Sequence, residues 1–263
     1  MNSRPVRSSL AVATASVKAL VLREAVARMF GRRAALAWLL LEPALHIGAL
    51  VFVFSVLRVR HVAGMDTGWW IASGMLAYFL FQRTAWRSTQ AIDANRALFT
   101  YRQVHPVDTV AARCILEGLF AVMVTGVTLA ALALAGLRIG LEDPARMIGA
   151  LLALWLLAVG WALCMSVAVS LVPEIGPALS LAGTGMMLLS GVMFPISQLP
   201  RPAREWLFLN PVAHGIEGVR ASVSSFYHHA PELDGGYPVV FALVLVCAGL
   251  AVQVRFKQRV LAE

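Results

Sequence analysis

Apolar residues in this chain arrive in long blocks, and the polar positions between them are few and clustered. A helix crossing the roughly 30 Å hydrocarbon layer needs about 20 mostly apolar residues. Six blocks approach or exceed that length, at residues 34–57, 69–87, 110–137, 147–172, 175–194 and 238–254. The pattern predicts an all-α membrane protein with six transmembrane helices, forming one domain over residues 1–263. Residues 17–30 precede the first block. There Ala19, Leu22, Val26, Met29 and Phe30 share one helical face, with Glu24 and Arg28 opposite. Such a stripe suits an amphipathic helix lying in the membrane interface, with a solvated basic tail as the alternative.

Polar residues inside the blocks sharpen this outline. The first block contains Glu42, Pro43 and His46; Pro43 invites a kink, and Glu42 and His46 stand one turn apart, in reach of each other. Residues 69–87 are rich in aromatics, including Tyr78 and Trp86. Their inner end carries Arg83 and Arg87, a pair that fits either lipid phosphate or an arriving anionic substrate. Block 175–194 is rich in Gly and Ser, which permits close helix packing. Residues 195–237, cut by Pro195, Pro200, Pro202 and Pro211, read as short re-entrant helices on the outer side.

A polar island between the second and third blocks, residues 90–108, carries Asp93, Asn95, Arg96, Phe99, Tyr101, Arg102 and Pro106. A merely solvated loop has no need of Leu98, Phe99 and Tyr101 together. Apolar anchors ringed by charges fit a knob that docks into another protein.

Composition agrees with a membrane protein, because 59% of residues are hydrophobic and 14% charged, against about 25% charged in soluble domains. The net charge of +8 is expected to reflect topology and not nucleic-acid binding. Fifteen of the 22 Lys and Arg fall before the first block, around residues 83–113 or after the last block, which places both termini in the cytoplasm. The opening segment is too weakly apolar for a signal peptide, so the amino terminus is expected to be retained. Cys114, Cys164 and Cys247 have no spacing motif and read as small buried hydrophobes.

Catalytic chemistry is hard to place on this chain. It has no GxxxxGK[ST] phosphate loop and no H-E-x-x-H or G-x-S-x-G motif. His61 and Asp66 have an acyltransferase-like spacing but fall in an outer loop. His228, His229, Glu232 and Asp234 match no standard metal set. No metal site and no cofactor in this chain are expected.

Four stretches carry a resemblance: VLREAVARMFGRR at 21–33, WLLLEPALH at 38–46, QAIDANRALFTYRQVHPVDTVAARCILE at 90–117, and LNPVAHGIEGVRA at 209–221. Together they resemble the permease subunit of capsular polysaccharide ABC exporters, within the ABC-2 type permeases. The resemblance implies a non-catalytic homodimer in the bacterial inner membrane, docked on two copies of a separate ATPase that binds ATP and Mg. Its cargo would be a lipid-linked, acidic polysaccharide, handed on to a periplasmic co-polymerase and outer-membrane export proteins. The ATPase contacts would fall on Asp93, Asn95, Arg96, Phe99, Tyr101 and Arg102, with Pro106 ending the coupling element. Trp38, Glu42, His46, Tyr78, Arg83, Trp86, Arg87 and Phe194 would line the substrate channel, and Asn210, Pro211, Glu217 and Arg220 would shape the re-entrant region. Permeases for O-antigen or teichoic-acid-like polymers, or a polytopic sugar or lipid transferase, are the alternatives.

Overall fold

The computed structural model describes residues 9–30, 35–57, 60–101, 103–137 and 139–262. Helix α1 (Ser9–Phe30) is followed by α2 (Ala35–Val56). A hairpin of β1 (His61–Val62) and β2 (Met65–Asp66) delivers the chain into α3 (Thr67–Thr89). A 3-10 helix, Asp93–Thr100, separates α3 from α4 (Pro106–Leu134). Then come α5 (Pro144–Leu171), α6 (Ile175–Leu189), a short 3-10 turn at Ile196–Gln198, α7 (Arg201–Leu207), α8 (Pro211–Val223) and α9 (Tyr237–Ala262).

Several helices begin by the same local rule. A polar residue followed by proline supplies a cap and a first turn that has no N–H to satisfy. The Asn210 side chain accepts from Val212 N at 3.0 Å and Asp143 from Arg146 N at 2.9 Å, and Pro211 and Pro144 follow them directly. Pro106 likewise starts α4, where the Asp108 carboxylate accepts from His105 N at 2.9 Å. It therefore opens the next helix, six residues after the 3-10 helix ends at Thr100. Asp66 caps α3 by accepting from Gly68 N at 2.9 Å and Trp69 N at 3.2 Å, which gives the His61–Asp66 spacing a purely structural use.

Among the described residues, four helices are long and apolar enough to cross a membrane: α2, α4, α5 and α9. The other two expected spans differ for physical reasons. Helix α3 has 23 residues but carries Gln82, Arg83 and Arg87, of which Arg83 is buried in protein, Gln82 half-buried and Arg87 exposed at its end. Helix α6 stops at Leu189, five residues before the expected end, and at 15 residues is about 22 Å long. Helix α9 runs on through Arg255, Lys257 and Arg259, which were expected to form a tail.

Helix α3 is the hub. Trp70, Ile71, Ala72, Met75, Tyr78 and Phe81 are all buried, packed with Leu154, Leu157 and Ala158 of α5 and Ile216 and Val219 of α8. Helices α5 and α9 pack closely because small residues meet. A Cβ on Gly249 would stand 2.6 Å from Leu163 Cβ, and one on Gly160 would stand 2.9 Å from the Leu245 backbone. The Gln253 side chain reinforces that seam by donating to Leu163 O and Ser166 Oγ, both at 3.0 Å. By contrast α2 and α6 are peripheral, exposing Leu41, Leu45, Phe52 and Val53 on α2 and Leu181, Leu188 and Leu189 on α6.

Helix α1 covers the expected segment 17–30 and begins earlier, at Ser9. Leu22 and Val26 face outward, while Glu24 is buried and Arg28 partly covered against the rest of the chain. Two expectations fail. Glu42 pairs with Arg83 of α3 at 3.0 Å and not with His46, whose ring meets Phe79 edge-on at 5.8 Å. Cys247 lies on the exposed face of α9, where a bilayer would cover it, while Cys114 is buried.

Candidate functional site

Three polar assemblies stand out from the apolar bundle. The first gathers at the end where α1 meets the 90–108 segment. Glu24 and Arg28 lie one turn apart on α1, and Arg113 and Glu117 lie one turn apart on α4. The two pairs face each other in register with opposite order, so Arg113 pairs with Glu24 and Arg28 with Glu117. Arg28 also holds Glu24 at 3.1 Å. The 3-10 segment is tied into this platform at two points. Arg23 of α1 donates to Asn95 Oδ1, and the Asn95 amide donates to Ala91 O at 2.8 Å. Arg96 spans from Asp93, at 3.0 Å, to Ser170 O and Oγ at the end of α5, at 3.3 and 3.2 Å.

Below the segment, Ala91 and Ile92 pack with Val110 and Cys114 of α4, Leu163 and Val167 of α5 and Val260 of α9. Phe99, expected to anchor in a partner's groove, is half-buried against this same cluster. Tyr101 is the aromatic that projects, at 65% exposure, with Asp93 also exposed. Arg102 lies outside the described residues.

The second assembly is a recess of about 260 Å³ between α2, α3 and α6, lined by Glu42, Phe79, Gln82, Arg83, Trp86, Arg87, Ser180 and Thr184. Arg83 is buried and reaches Glu42 Oε2 at 3.0 Å, while Arg87 is exposed. Helix α6 is held to α3 beside this recess by two bonds to its carbonyls. Tyr78 OH donates to Gly183 O and Trp86 Nε1 to Leu179 O, both at 2.8 Å. Tyr78 is thus fully buried in the protomer. Trp86 is half-buried and stacks on Trp161 with centroids 5.6 Å apart. Trp38 is 62% exposed on α2. Phe194 sits away from the recess, half-buried beside Ile196 and Phe208. A larger groove of about 550 Å³ between α3, α4 and α5 is walled by apolar side chains such as Leu119, Leu129 and Met147 and holds no charged group.

The third assembly lies at the opposite end, around α8. Arg220 and Glu217 are both fully buried and 3.2 Å apart. Arg220 also donates to Gly191 O at 2.7 Å and Val192 O at 2.9 Å, and its guanidinium lies 3.9 Å from the centre of the Trp70 ring. Gly74 of α3 makes the room, since a Cβ there would stand 2.3 Å from Arg220 Nη2. Tyr227 OH lies 2.8 Å from both Glu217 oxygens. Burial, and then the neighbouring Glu217 carboxylate, push that phenol above its ordinary pKa, so it stays a donor. Asn210 adds a second tie by donating to Ser190 Oγ at 2.9 Å and Leu189 O at 3.2 Å. The Leu189 end of α6 is therefore clamped, while the rest of the helix hangs on the bonds from Tyr78 and Trp86. Of the outer-loop polar residues considered for a metal, Glu232 pairs with Arg204 at 3.1 Å, and no metal-binding group of side chains occurs among the described residues.

Sequence reasoning located the island, the α3 arginines and the α8 motif. It did not connect Glu24 and Arg28 with Arg113 and Glu117, although two charge pairs of opposite order at four-residue spacing were there to be matched. Ser170, Tyr227 and Gln253 carried no such signal.

The model of the ABC-2 type transporter family matches residues 15–223. The chain is 30% identical over 245 residues to the polysialic acid transport protein KpsM of Escherichia coli, covering 93% of this chain and 95% of that protein. It is 30% identical over 257 residues to the capsule polysaccharide export inner-membrane protein CtrC of Neisseria meningitidis, covering 96% and 95%. The capsule polysaccharide export inner-membrane protein BexB of Haemophilus influenzae is 24% identical over 257 residues, with the same two shares, 96% and 95%.

Proposed function

Because this chain belongs to the ABC-2 type transporter family, we propose that it is the membrane subunit of an ATP-driven exporter that moves lipid-linked, acidic capsular polysaccharide across the bacterial inner membrane. The near full-length similarity to proteins named for capsule export carries this reading. ATP and Mg bind to a separate ATPase, two copies of which dock on a homodimer of this chain, which itself performs no catalysis. Periplasmic and outer-membrane export proteins receive the cargo.

In this reading six helices cross the bilayer, with α3 shielded by its neighbours from the lipid that would penalise its polarity, and the short, exposed α6 covered by the second copy. The platform end is cytoplasmic, in keeping with its share of basic residues, and α7 and α8 form the re-entrant region on the periplasmic side. The exposed apolar faces of α2 and α6 suit the second copy.

Force enters through the 3-10 segment, with Tyr101 and Asp93 presented to the ATPase. It leaves along two routes, through Arg23–Asn95 to α1 and through Arg96–Ser170 to the turn between α5 and α6. Helix α6 is clamped at its outer end, so a push on its inner end tilts it about that clamp and away from α3. A ligand-driven shift of this kind requires only that the closed ATPase contact one of the two positions better. The test is Arg96→Glu combined with Tyr101→Ala in cells carrying the whole export system. Loss of surface capsule with normal membrane insertion is expected; undiminished capsule would refute the coupling role.

A further inference from the structure

The recess between α2, α3 and α6 has a charge pattern that its packing does not require. Two arginines line it, and among the described residues Glu42 is the one carboxylate in its wall. Glu42 engages Arg83 through one oxygen at 3.0 Å, yet its side chain is 48% exposed. Arg87 forms no ion pair among the described residues. Around the arginines stand the Gln82 amide and the hydroxyls of Ser180 and Thr184, with Trp86 and Phe79 as flat walls. Guanidinium groups with amide and hydroxyl donors are the groups that bind a phosphate, which accepts on several oxygens at once. A carboxylate held at such a site by one oxygen leaves most of that capacity unused.

The ion pair also bridges two helices. Glu42 is on α2 just before Pro43, and Arg83 is on the buried hub α3, where it also reaches Leu39 O at 3.4 Å. Pulling Arg83 away from Glu42 therefore loosens α2 beside Pro43. On the far wall, Ser180 and Thr184 belong to α6, the helix held to α3 by two bonds.

We propose that this recess binds the phosphate at the lipid-linked end of the cargo, and that Glu42 stands in for that phosphate when no cargo is present. Arrival of the phosphate draws Arg83 and Arg87 onto it and displaces Glu42, freeing α2 from α3. The anion then bridges α3 to Ser180 and Thr184 on α6. Loading and loosening become one event, so an empty transporter stays latched. The inference rests on the export reading for the identity of the cargo.

The test is equilibrium binding by the full chain, in complex with its ATPase in phosphatidylcholine nanodiscs. The probes are dihexanoyl phosphatidic acid and inorganic phosphate. Removing the stand-in with Glu42→Gln should tighten binding of the lipid phosphate about tenfold, within the usual range for coupled sites. Glu42→Asp, which keeps the charge, should return affinity to the wild-type value. Arg87→Gln should weaken binding about tenfold; both positions are exposed, which spares the fold. Unchanged or weaker binding in Glu42→Gln overturns the stand-in, and unchanged binding in Arg87→Gln overturns the site. Inorganic phosphate binding as tightly as the lipid form overturns the assignment to a lipid-linked end. Capsule export is scored separately in cells: lost phosphate selectivity beside intact export sinks only this inference, whereas loss of the export reading leaves the binding result standing.

Discussion

The two polar assemblies at opposite ends of the bundle use the same residue types in opposite ways. Around α8, Arg220 and Glu217 have no access to solvent, and the arginine is further held by two carbonyls and an aromatic face. Around the 3-10 segment, Arg96 and Asp93 are each about one-third exposed, at 35% and 37%, and the arginine splits its bonds between its own segment and α5. A fully buried pair is costly to separate, because either partner alone is left as an uncompensated charge. A half-exposed pair is exchanged for water at little cost. The pair around α8 is therefore the harder to separate, which suits the fixed pivot of the lever proposed above.

Breaking the pivot should give the largest effect. Arg220→Met leaves Glu217 buried and unpaired, and should destabilise the fold by about 3–5 kcal/mol. Thermal unfolding of detergent-purified protein followed by tryptophan emission will read this. The double variant Arg220→Met/Glu217→Leu should recover part of the loss. No recovery would mean that the carbonyl contacts to Gly191 and Val192, not the charge pair, hold the clamp. Tyr227→Phe removes one hydrogen bond to a charged group and should cost about 1.5–3 kcal/mol.

The moving end should respond the other way round. Arg96→Ala should change stability by less than about 1 kcal/mol, as for other half-exposed pairs, while capsule export falls sharply. A stability loss comparable to that of Arg220→Met would erase the contrast between the two ends. The platform behind it offers a charge-order test. Glu24→Arg and Arg113→Glu should each impair folding singly. The double swap should recover part of the loss, since it rebuilds the pair across α1 and α4 but sets the new arginine beside Arg28 and the new glutamate beside Glu117.

The contrast also marks how far residue pattern alone reaches. The start of α8 was legible at Pro211, one of the prolines that cut residues 195–237, because a helix boundary rests on local chemistry. The island was legible because polar residues between apolar blocks need a reason. The depth of α3 was not, because lipid is as apolar as a protein core and hydrophobicity cannot say which of the two covers a face. The same ambiguity hid Cys247 on the outside and turned Phe99 inward. Helical spacing shows His46 within reach of Glu42 because it reveals neighbours four residues apart, whereas the partner Arg83 is 41 residues away. Long-range partners become visible only when the helices are placed.

The smallest expected effect comes from a histidine beside the pivot. His214 is buried between Phe208 and Tyr237, with ring centroids 4.7 and 4.9 Å from its own. Its Nδ1 accepts from Asp234 N at 3.1 Å, so the proton sits on Nε2, which donates to Phe208 O at 2.8 Å. A second proton on Nδ1 would point at that amide N–H. Burial lowers the His214 pKa below its ordinary value, although the backbone bond to Phe208 and the Asp234 and Glu217 carboxylates pull the other way. The unfolded chain then takes up a proton before the folded one does. Stability from this group is accordingly complete above the unfolded value of about 6.5 and declines as pH falls below it, by no more than about 1.4 kcal/mol per pH unit. Thermal midpoints recorded between pH 7.5 and 5.5 should drop for the wild type and drop less for His214→Asn, which cannot titrate. Equal slopes for the two proteins would assign the acid sensitivity elsewhere and leave the clamp around Arg220 indifferent to periplasmic pH.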